Sequence, residues 1–476
     1  MTKNTSPISL LVLFVPFLVF FVVKTNAAEL RVDCARRNGE IRPLHGANSG
    51  PSNLGETLDL TALHREIGIP FTRLHDCHWP NPDVVDIHAI FPDMNADPEK
   101  PESYDFRRSD DYIQAVVNTG AKIVYRLGES IEHTKKKYHV HPPADLDKWI
   151  AVCAHIIQHY NEGWANGFKH NIQYWEIWNE PENRPAMWTG NDEQFFALFT
   201  KTAKALKAKF PDLRIGGPAV GDSGRMDKGA YKPSKFMLSF MEACKRESAP
   251  LDFFSWHLYS NDPLEVTGRA RGIREWLNQN GYSKTESHYN EWNYLPGNDW
   301  GPLLKNGQGL PREKFAANIG GAPGAAYDAY VLMALQDCPV DVANYYAADQ
   351  QEFGLFTWDG VPKKSFYAFK AFKLLLDTPA RLGAEGTVPG SLTLCAGTNA
   401  ENSAVNILIS HYKSTGDSLT LTVDHLPWES AEYELFVVDA THELKSIRKE
   451  KLSGAIQLGD DLKAAAVGLI RLQKAK

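Results

Sequence analysis

Short apolar runs alternate with amphipathic stretches between residues 41 and 384, and this alternation restricts the fold more than any other feature of the chain. The apolar runs have the length of buried strands, and the amphipathic stretches have the spacing of helices that pack on one face. Strand–helix units repeated eight times predict an α/β fold, a (β/α)8 TIM barrel of parallel strands ringed by helices. The predicted strands are Arg42–Ala47, Pro70–His75, Ala121–Leu127, Ile172–Trp178, Leu213–Pro218, Asp252–His257, Glu286–Glu291 and Asp341–Ala347. The clearest predicted helices are Asp110–Asn118, Leu146–Tyr160, Asp192–Lys209, Lys235–Cys244, Gly272–Asn280 and Tyr327–Leu335.

The pattern changes near Ala384. Beyond it, the segments SLTLCAG, AVNILISHY, SLTLTVDHL, EYELFVVDA and AAVGLIRL are short, rich in β-forming residues and separated by Gly, Ser, Asn and Asp. They predict a smaller C-terminal β-sandwich over residues 385–476. Residues 29–40 contain one more apolar run, Leu30–Cys34, which has no partner in the barrel pattern and is predicted to join the sandwich. The barrel is assigned to residues 41–384.

The first 28 residues differ from the rest of the chain. Lys3 supplies a basic start, Ile8–Val23 is an apolar run of 16 residues, and Thr25–Ala28 offers small residues for cleavage. The run is shorter than the roughly 20 residues of a membrane-spanning helix. We therefore predict a signal peptide over residues 1–28 and a secreted or periplasmic protein, with an uncleaved N-terminal anchor as the alternative. No later run is long and apolar enough to span a membrane, so we expect no membrane association after cleavage.

Charge and cysteine usage exclude several kinds of partner. The formal net charge is −7, whereas nucleic-acid binding needs a basic face, so no nucleic-acid partner is expected. The six cysteines are widely spread and form neither a CxxC pair nor a zinc-type spacing. We therefore expect no cofactor, no metal and no disulfide framework. The oligomeric state is left open.

Two predicted strands end at a glutamate beside aromatic residues. Glu180 ends the fourth strand in Trp175–Pro181 (WEIWNEP), and Glu291 ends the seventh in Ser287–Trp292 (SHYNEW). The carboxyl ends of barrel strands form the face on which active sites are built. Either glutamate alone is typical of a solvated loop carboxylate. Together they indicate a glycosidase, which needs one carboxylic acid, one carboxylate and flat rings that stack on sugars.

Arginine and tryptophan side chains are predicted around this pair. Arg73, at the end of the second strand (FTRLHD), would hold Glu291 ionised by pairing with it; the alternative is an arginine that braces the barrel. Trp292 directly follows Glu291 and is the preferred platform for stacking on a sugar. The other candidate platforms are Trp178, Trp188 and Trp300.

Three further polar positions have two interpretations each. His75 is predicted to contact substrate hydroxyls; a metal site made by His75, Asp76, Cys77 and His78 is disfavoured because nothing else supplies a ligand set. Glu129, after the third strand (RLGES), is either a third active-site carboxylate or a solvent-facing one. His257, at the end of the sixth strand, is either a site residue or a structural histidine.

Four segments resemble glycoside hydrolase family 39. WEIWNEPENRPAMWTGNDEQFFALFTKTAKALKAKFPDLRIGGPAVG resembles the acid/base region of that family, and HYNEW resembles its nucleophile strand. SYDFRRSDDYIQAVVNTGAKIVYRLGES resembles the third strand–helix segment, and FGLFTWDGVPKKSFYAFKAFKLL resembles the segment that leaves the barrel. The resemblance covers most of residues 40–380. It departs from the family at YNEWNY, where family members often have Thr or a small residue before the glutamate, and between Trp300 and Ala322.

The resemblance implies a (β/α)8 barrel with a β-sandwich, a retaining two-step mechanism and no metal. It implies that Glu180 is the general acid/base, that Glu291 is the nucleophile and that Asn179 binds the sugar 2-hydroxyl. It also implies that His257 and Tyr259 line the sugar site, one of them contacting the nucleophile.

These observations predict a retaining glycoside hydrolase that acts on an oligosaccharide or polysaccharide, most like a β-xylosidase. The alternatives are a related glycosidase of the α-L-iduronidase, arabinosidase or galactosidase type, and a barrel that binds carbohydrate without cleaving it.

Overall fold

The computed structural model describes residues 28–77, 83–304, 307–416 and 418–475. Apart from Ala28, the predicted signal peptide lies outside these ranges and stays a prediction. Within them, no helix combines the length and the apolar character that crossing a membrane requires. All six cysteines lie in the described ranges, where they are buried free thiols.

The described ranges contain nineteen strands and ten α-helices. The strands are β1 (Ala28–Glu40), β2 (Gly46–Asn48), β3 (Phe71–Leu74), β4 (Lys122–Leu127), β5 (Tyr174–Ile177), β6 (Arg214–Val220), β7 (Arg225–Asp227), β8 (Ala230–Lys232), β9 (Phe253–Ser260), β10 (Glu286–Tyr294), β11 (Val342–Tyr345), β12 (Ala380–Glu385), β13 (Leu392–Thr398), β14 (Ala404–His411), β15 (Leu419–Asp424), β16 (Ala431–Val438), β17 (Glu443–Lys451), β18 (Ile456–Gln457) and β19 (Ala466–Lys474). The helices are α1 (Thr61–Ile67), α2 (Ile87–Ile90), α3 (Arg107–Thr119), α4 (Leu146–Asn161), α5 (Asp192–Lys209), α6 (Lys235–Arg246), α7 (Pro263–Gln279), α8 (Leu310–Ile319), α9 (Ala322–Ala334) and α10 (Lys364–Leu375).

Eight parallel strands close into a barrel in the order β2, β3, β4, β5, β6, β9, β10, β11 and back to β2. Each predicted barrel strand overlaps one of them, so the predicted fold class is confirmed. All eight carboxyl ends open on one face, because the strands are parallel.

Local sequence explains where the helices begin. Asn191 caps α5: its side chain accepts the Gln194 N–H, and the Gln194 side chain accepts the Asn191 N–H. Helix α5 therefore has the predicted bounds. Helix α7 begins at Pro263, nine residues before the predicted Gly272, since Asp262 caps it there and proline suits a first turn. A side chain at Gly272 would collide with Tyr231 of β8, so this glycine lets α7 pack closely against β8.

The second large sheet has nine strands and combines both ends of the described chain. Strand β1 lies between β12, antiparallel, and β15, parallel. Buried side chains from strands far apart in the sheet, such as Leu30, Leu435 and Ile470, share one hydrophobic core. The sheet therefore curls around its own core, which gives the smaller C-terminal β-domain its sandwich character. Strand β12 already belongs to this sheet, although it lies on the barrel side of the predicted boundary at residue 385.

Candidate active site

Glu180 and Glu291 meet at the carboxyl face of the barrel. Glu180 follows β5, and Glu291 lies in β10 opposite His257 of β9. One carboxylate oxygen of each glutamate and a ring nitrogen of His257 all lie within 4.8 Å of one another. Glu291 and His257 are buried. The two predicted strand-end carboxylates therefore share one small space.

A tight backbone turn after β5 places Glu180. Trp178 and Glu180 have φ values of 70° and 41°, in the left-handed region that non-glycine residues rarely adopt. Hydrogen bonds hold this turn: the Trp178 N–H donates to Leu127 O and the Glu180 N–H to Ala219 O. Gly221 leaves room for the carboxylate, because a Cβ there would lie 2.6 Å from Glu180 Oε1.

Arg73 connects the nucleophile candidate to the barrel interior. Its side chain is fully buried and donates to Glu176 Oε2 at 2.7 Å and to Glu291 Oε2 at 3.1 Å. It also donates to Asn48 Oδ1 at 3.0 Å and to Asn179 Oδ1 at 2.7 Å. Arg73 thus fits both interpretations. It pairs with Glu291, and it braces the barrel by connecting its own strand β3 to β2, β5 and β10. Its bond to Asn179 fixes the orientation of that amide.

His257 and Tyr259 contact different glutamates. The Tyr259 hydroxyl donates to Glu291 Oε1 at 2.8 Å. His257 Nδ1 lies 2.8 Å from Glu180 Oε1 and 3.7 Å from Glu291 Oε2. Because a carboxylate accepts only, Nδ1 carries the proton in this bond. Tyr259 is therefore the neighbour of the nucleophile candidate, whereas His257 bridges the pair.

The charges of this pair and His257 are coupled. Burial lowers the pKa of His257, but the charge of Glu291 and the hydrogen bond to Glu180 outweigh it, so that pKa is raised. Burial raises the pKa of Glu180, but the hydrogen bond and charge of His257 outweigh burial and lower it. Burial and the charge of Glu180 raise the pKa of Glu291. These two directions are opposite to the predicted roles, in which Glu180 holds a proton and Glu291 is ionised. Interacting groups this close titrate together, so the pair and His257 are described by shared pKa values.

His75 directly follows β3, on the carboxyl face of the barrel that also carries Glu180 and Glu291. It is buried, with Nε2 at 3.4 Å from Asp76 Oδ2. Asp76 in turn accepts the Tyr346 hydroxyl at 3.1 Å and the Ile131 N–H at 3.1 Å. His78 lies outside the described residues.

The interpretation of Trp292 as a stacking platform is wrong. Its ring is fully buried and packs edge-on against Tyr345 at 5.2 Å and parallel to Phe369 at 6.5 Å. Neighbouring side chains on a strand point to opposite faces, so a Glu291 that faces the barrel mouth turns Trp292 toward the surrounding helices.

Trp178 and Trp188 are also buried, edge-on to each other at 5.0 Å, and cannot stack on a sugar from solvent. Trp300 is different. It is 43% exposed and lies 5.0 Å from the Tyr259 ring. Among the four candidates, Trp300 has an accessible ring beside a residue that contacts Glu291.

The sequence interpretation missed two polar residues beneath the pair. Glu176 is fully buried and accepts from Arg73 and from Asn290 Nδ2, the latter at 2.5 Å. A charged residue inside the apolar run WEIW was the available signal, because an unpaired buried carboxylate is costly. Asn290 sits directly before Glu291.

Two described groups of carboxylates and histidines are close enough to share an ion: Asp86, His88 and Glu129, and the group Glu180, His257 and Glu291. In each group a buried arginine already pairs with a carboxylate, Arg126 with Asp86 and Arg73 with Glu291. These guanidinium groups supply positive charge where an ion would sit.

Comparison with known proteins connects this geometry to a family. Residues 51–276 match the model of Glycosyl hydrolases family 39. The chain is similar to the β-xylosidase of Geobacillus stearothermophilus, 26% identical over 266 residues (51% of this chain, 49% of the relative). It is also similar to the β-xylosidase of Caldicellulosiruptor saccharolyticus, 25% identical over 304 residues (56% of each chain). The chain thus matches about half the length of these curated relatives.

Solved structures share the fold. A glucosidase from Croceicoccus marinus aligns with a TM-score of 0.76 and 24% identity, covering 94% of this chain and 100% of the other. A monomeric β-xylosidase from Caulobacter crescentus aligns with a TM-score of 0.67 and 17% identity over the same shares.

Proposed function

Because residues 51–276 match the model of Glycosyl hydrolases family 39, we propose that the chain belongs to this family and cleaves O-glycosidic bonds with retention of configuration. The observation that carries this proposal is the spacing of Glu180 and Glu291, whose nearest carboxylate oxygens lie within 4.8 Å. Retaining enzymes separate their carboxyl groups by about 5–5.5 Å, whereas inverting enzymes need roughly 6.5–9.5 Å to admit a water.

In the first step Glu291 attacks the anomeric carbon while protonated Glu180 gives its proton to the leaving oxygen. In the second step Glu180 takes a proton from water, which displaces Glu291 from the sugar. Tyr259 keeps Glu291 oriented through the hydroxyl bond at 2.8 Å. His257 contacts Glu180 and passes the proton that Glu180 needs when substrate displaces solvent. Asn179, held by Arg73, is proposed to bind the 2-hydroxyl.

We further propose a neutral β-linked sugar of the xylose type as the substrate. The curated relatives named β-xylosidase support this choice. Charge supports it too: within the described residues, Arg73 is the arginine or lysine that contacts the catalytic pair, and its guanidinium already serves four acceptors. A uronic acid, as in an iduronidase substrate, would need a further cation.

Hydrolysis of an aryl glycoside panel tests the proposal. Aryl β-xyloside, α-iduronide, α-arabinofuranoside and β-galactoside are compared, and proton NMR of the first product anomer reports the stereochemistry. We expect turnover of the β-xyloside and a β-configured first product. An α-configured first product contradicts retention. Calorimetric binding of xylo-oligosaccharides without any turnover would instead support the non-cleaving barrel.

Glu180→Ala is expected to reduce kcat/KM about 10²- to 10⁴-fold on substrates whose leaving group needs a proton, the scale of general acid catalysis. Dinitrophenyl glycosides should lose much less in the first step, and added azide should restore turnover as a glycosyl azide of retained configuration. The measurement is steady-state kinetics with two leaving groups, with and without azide. Equal losses on both substrates, without azide rescue, would remove Glu180 from this role.

His257→Gln is expected to move the basic limb of the kcat/KM profile to higher pH. In the native protein, the hydrogen bond and charge of His257 hold the pKa of Glu180 below its ordinary value in spite of burial. Without them that pKa rises, so Glu180 stays protonated to higher pH. Rates across pH with a poor leaving group measure the shift, and a dinitrophenyl substrate serves as the control. A limb that moves to lower pH would contradict the assignment.

Trp300→Ala is expected to raise KM roughly two- to tenfold with a smaller change in kcat, because an aromatic face contributes about 0.5–1.5 kcal/mol. Trp428→Ala, in the loop between β15 and β16 of the C-terminal domain, is the matched control and should leave both constants unaltered. Kinetics with an aryl xyloside check the split. An unchanged KM in Trp300→Ala would exclude this ring as a platform.

A further inference from the structure

A second cavity opens on the carboxyl face of the barrel, separate from the catalytic pair. It lies between α2 and the loop after β4 and has a volume of about 390 Å³, within the range of small-molecule sites. Buried Trp149 and Trp178 form part of its lining. His88 and His139 stack at 3.6 Å along it, and Tyr138, 58% exposed, stands at its edge. Tyr138 therefore gives the cavity a flat ring that solvent reaches, whereas Trp149 and Trp178 form its buried wall.

Glu129 supplies the polar end of this cavity. It is buried, which corrects its interpretation as a solvent-facing carboxylate. Its two oxygens accept from the backbone N–H of His88 at 3.2 Å and from His88 Nδ1 at 2.6 Å. A carboxylate offers about four acceptor positions, so two remain for ligand hydroxyls. Burial raises the pKa of Glu129 to about 7, against the hydrogen bond from His88.

The loop that forms the outer wall is held in place before any ligand arrives. Glu132 accepts the N–H groups of Tyr138 and His139 through its carboxylate, both at 2.8 Å. Its own N–H donates to Ala186 O in the loop after β5. A wall fixed in this way loses little conformational freedom on binding.

Charge decides which ligand suits the cavity. Glu129 and Asp145 outnumber Lys148 in its lining, and the Lys148 ammonium already donates to the Met94 carbonyl, so the charge disfavours an anion. A metal ion would have to displace the proton between His88 and Glu129 and would face Arg126, which is buried beside Asp86. A neutral polyhydroxyl ring avoids both costs, because it can stack on the exposed Tyr138 ring and donate hydroxyls to Glu129.

We propose that this cavity binds a neutral sugar unit of the oligosaccharide substrate, outside the sugar held between Glu180 and Glu291. The proposal rests on the proposed function. Position supports it: β4 pairs with β5, with Leu127 opposite Ile177, and Trp178 in the cavity lining directly precedes Asn179 and Glu180. Tyr138 and Glu129 would then set the preference for longer chains.

Calorimetry on the full chain carrying Glu291→Ala tests this, with a ladder from xylose to xylohexaose as the probe. Affinity should rise with chain length. Tyr138→Ala and Glu129→Gln should each remove about tenfold of that gain, whereas Tyr138→Phe, which keeps the ring, should retain it. Glu102→Gln, an exposed glutamate in a short turn, is the matched control and should preserve the gain.

The proposal falls if the length-dependent gain is the same in Tyr138→Ala and Glu129→Gln as in the control, or if no gain exists. Tyr138→Ala keeps the test decisive if Glu129→Gln unfolds, since Tyr138 is largely exposed. A failure of the proposed function can be told apart from a failure of this inference. If the native protein cleaves no glycoside but xylo-oligosaccharides still bind through Tyr138, the proposed activity is wrong and the sugar-binding cavity stands. If the native protein cleaves glycosides but Tyr138→Ala and Glu129→Gln leave the affinity for xylo-oligosaccharides unaltered, the cavity proposal alone is wrong.

Discussion

Glu291→Ala is expected to abolish turnover, with a loss on the order of 10⁴- to 10⁶-fold in kcat, the scale on which covalent hydrolases respond to losing a nucleophilic unit. In the proposed mechanism the covalent intermediate cannot form without this carboxylate, because Tyr259 and Arg73 only donate hydrogen bonds to it. The measurement is kcat on an aryl xyloside with a good leaving group, so that the first step needs no acid. Unchanged activity would remove the assignment.

Azide distinguishes the two glutamates. In Glu291→Ala, azide enters from the face that the carboxylate vacates and gives a glycosyl azide of inverted configuration. In Glu180→Ala it attacks the intermediate and gives the retained product. Glu286→Gln is the matched control, because Glu286 begins β10 at the opposite end of the strand and bonds to Tyr174 and His288. It should keep native turnover.

The barrel could be predicted from sequence because each strand has a short apolar run followed by an amphipathic stretch. The pattern located all eight strands, and the helix with a strong cap, α5, came out with its observed bounds. The starts of α7 and α9 were missed. Pro263 and Pro323 lie in their first turns, and Gly272 interrupts the apolar pattern of α7 although it packs against Tyr231.

The candidate site was predictable where a residue's position along its strand decides its role. Glu180 and Glu291 follow from the strand ends. Trp292 shows the limit of that reasoning. It is the next residue after Glu291 in the same strand, and successive side chains of a strand point to opposite faces. Trp300 comes from a segment without a recognisable pattern, so its contact with Tyr259 depends on how the loop after β10 packs. The histidine stack beside Glu129 likewise joins residues far apart in sequence.

Arg73→Met is expected to lower the free energy of unfolding by about 3–5 kcal/mol, the effect of removing one partner of a buried ion pair. Glu176 would lose its charged partner while remaining fully buried, and Glu291, Asn48 and Asn179 would each lose a donor. For a domain of this size the melting temperature should fall by roughly 4–7 °C. Thermal and denaturant unfolding measure the loss.

Activity separates the two roles of Arg73. Arg42→Met is the matched control, since Arg42 donates to four backbone carbonyls between residues 335 and 340, ahead of β11 at the other end of the barrel. Both variants should lose stability, but at a temperature where both are folded Arg73→Met alone should lose kcat/KM, because Glu291 and Asn179 are no longer held. If Arg73→Met retains native kcat/KM when folded, the arginine braces the barrel without positioning the catalytic groups.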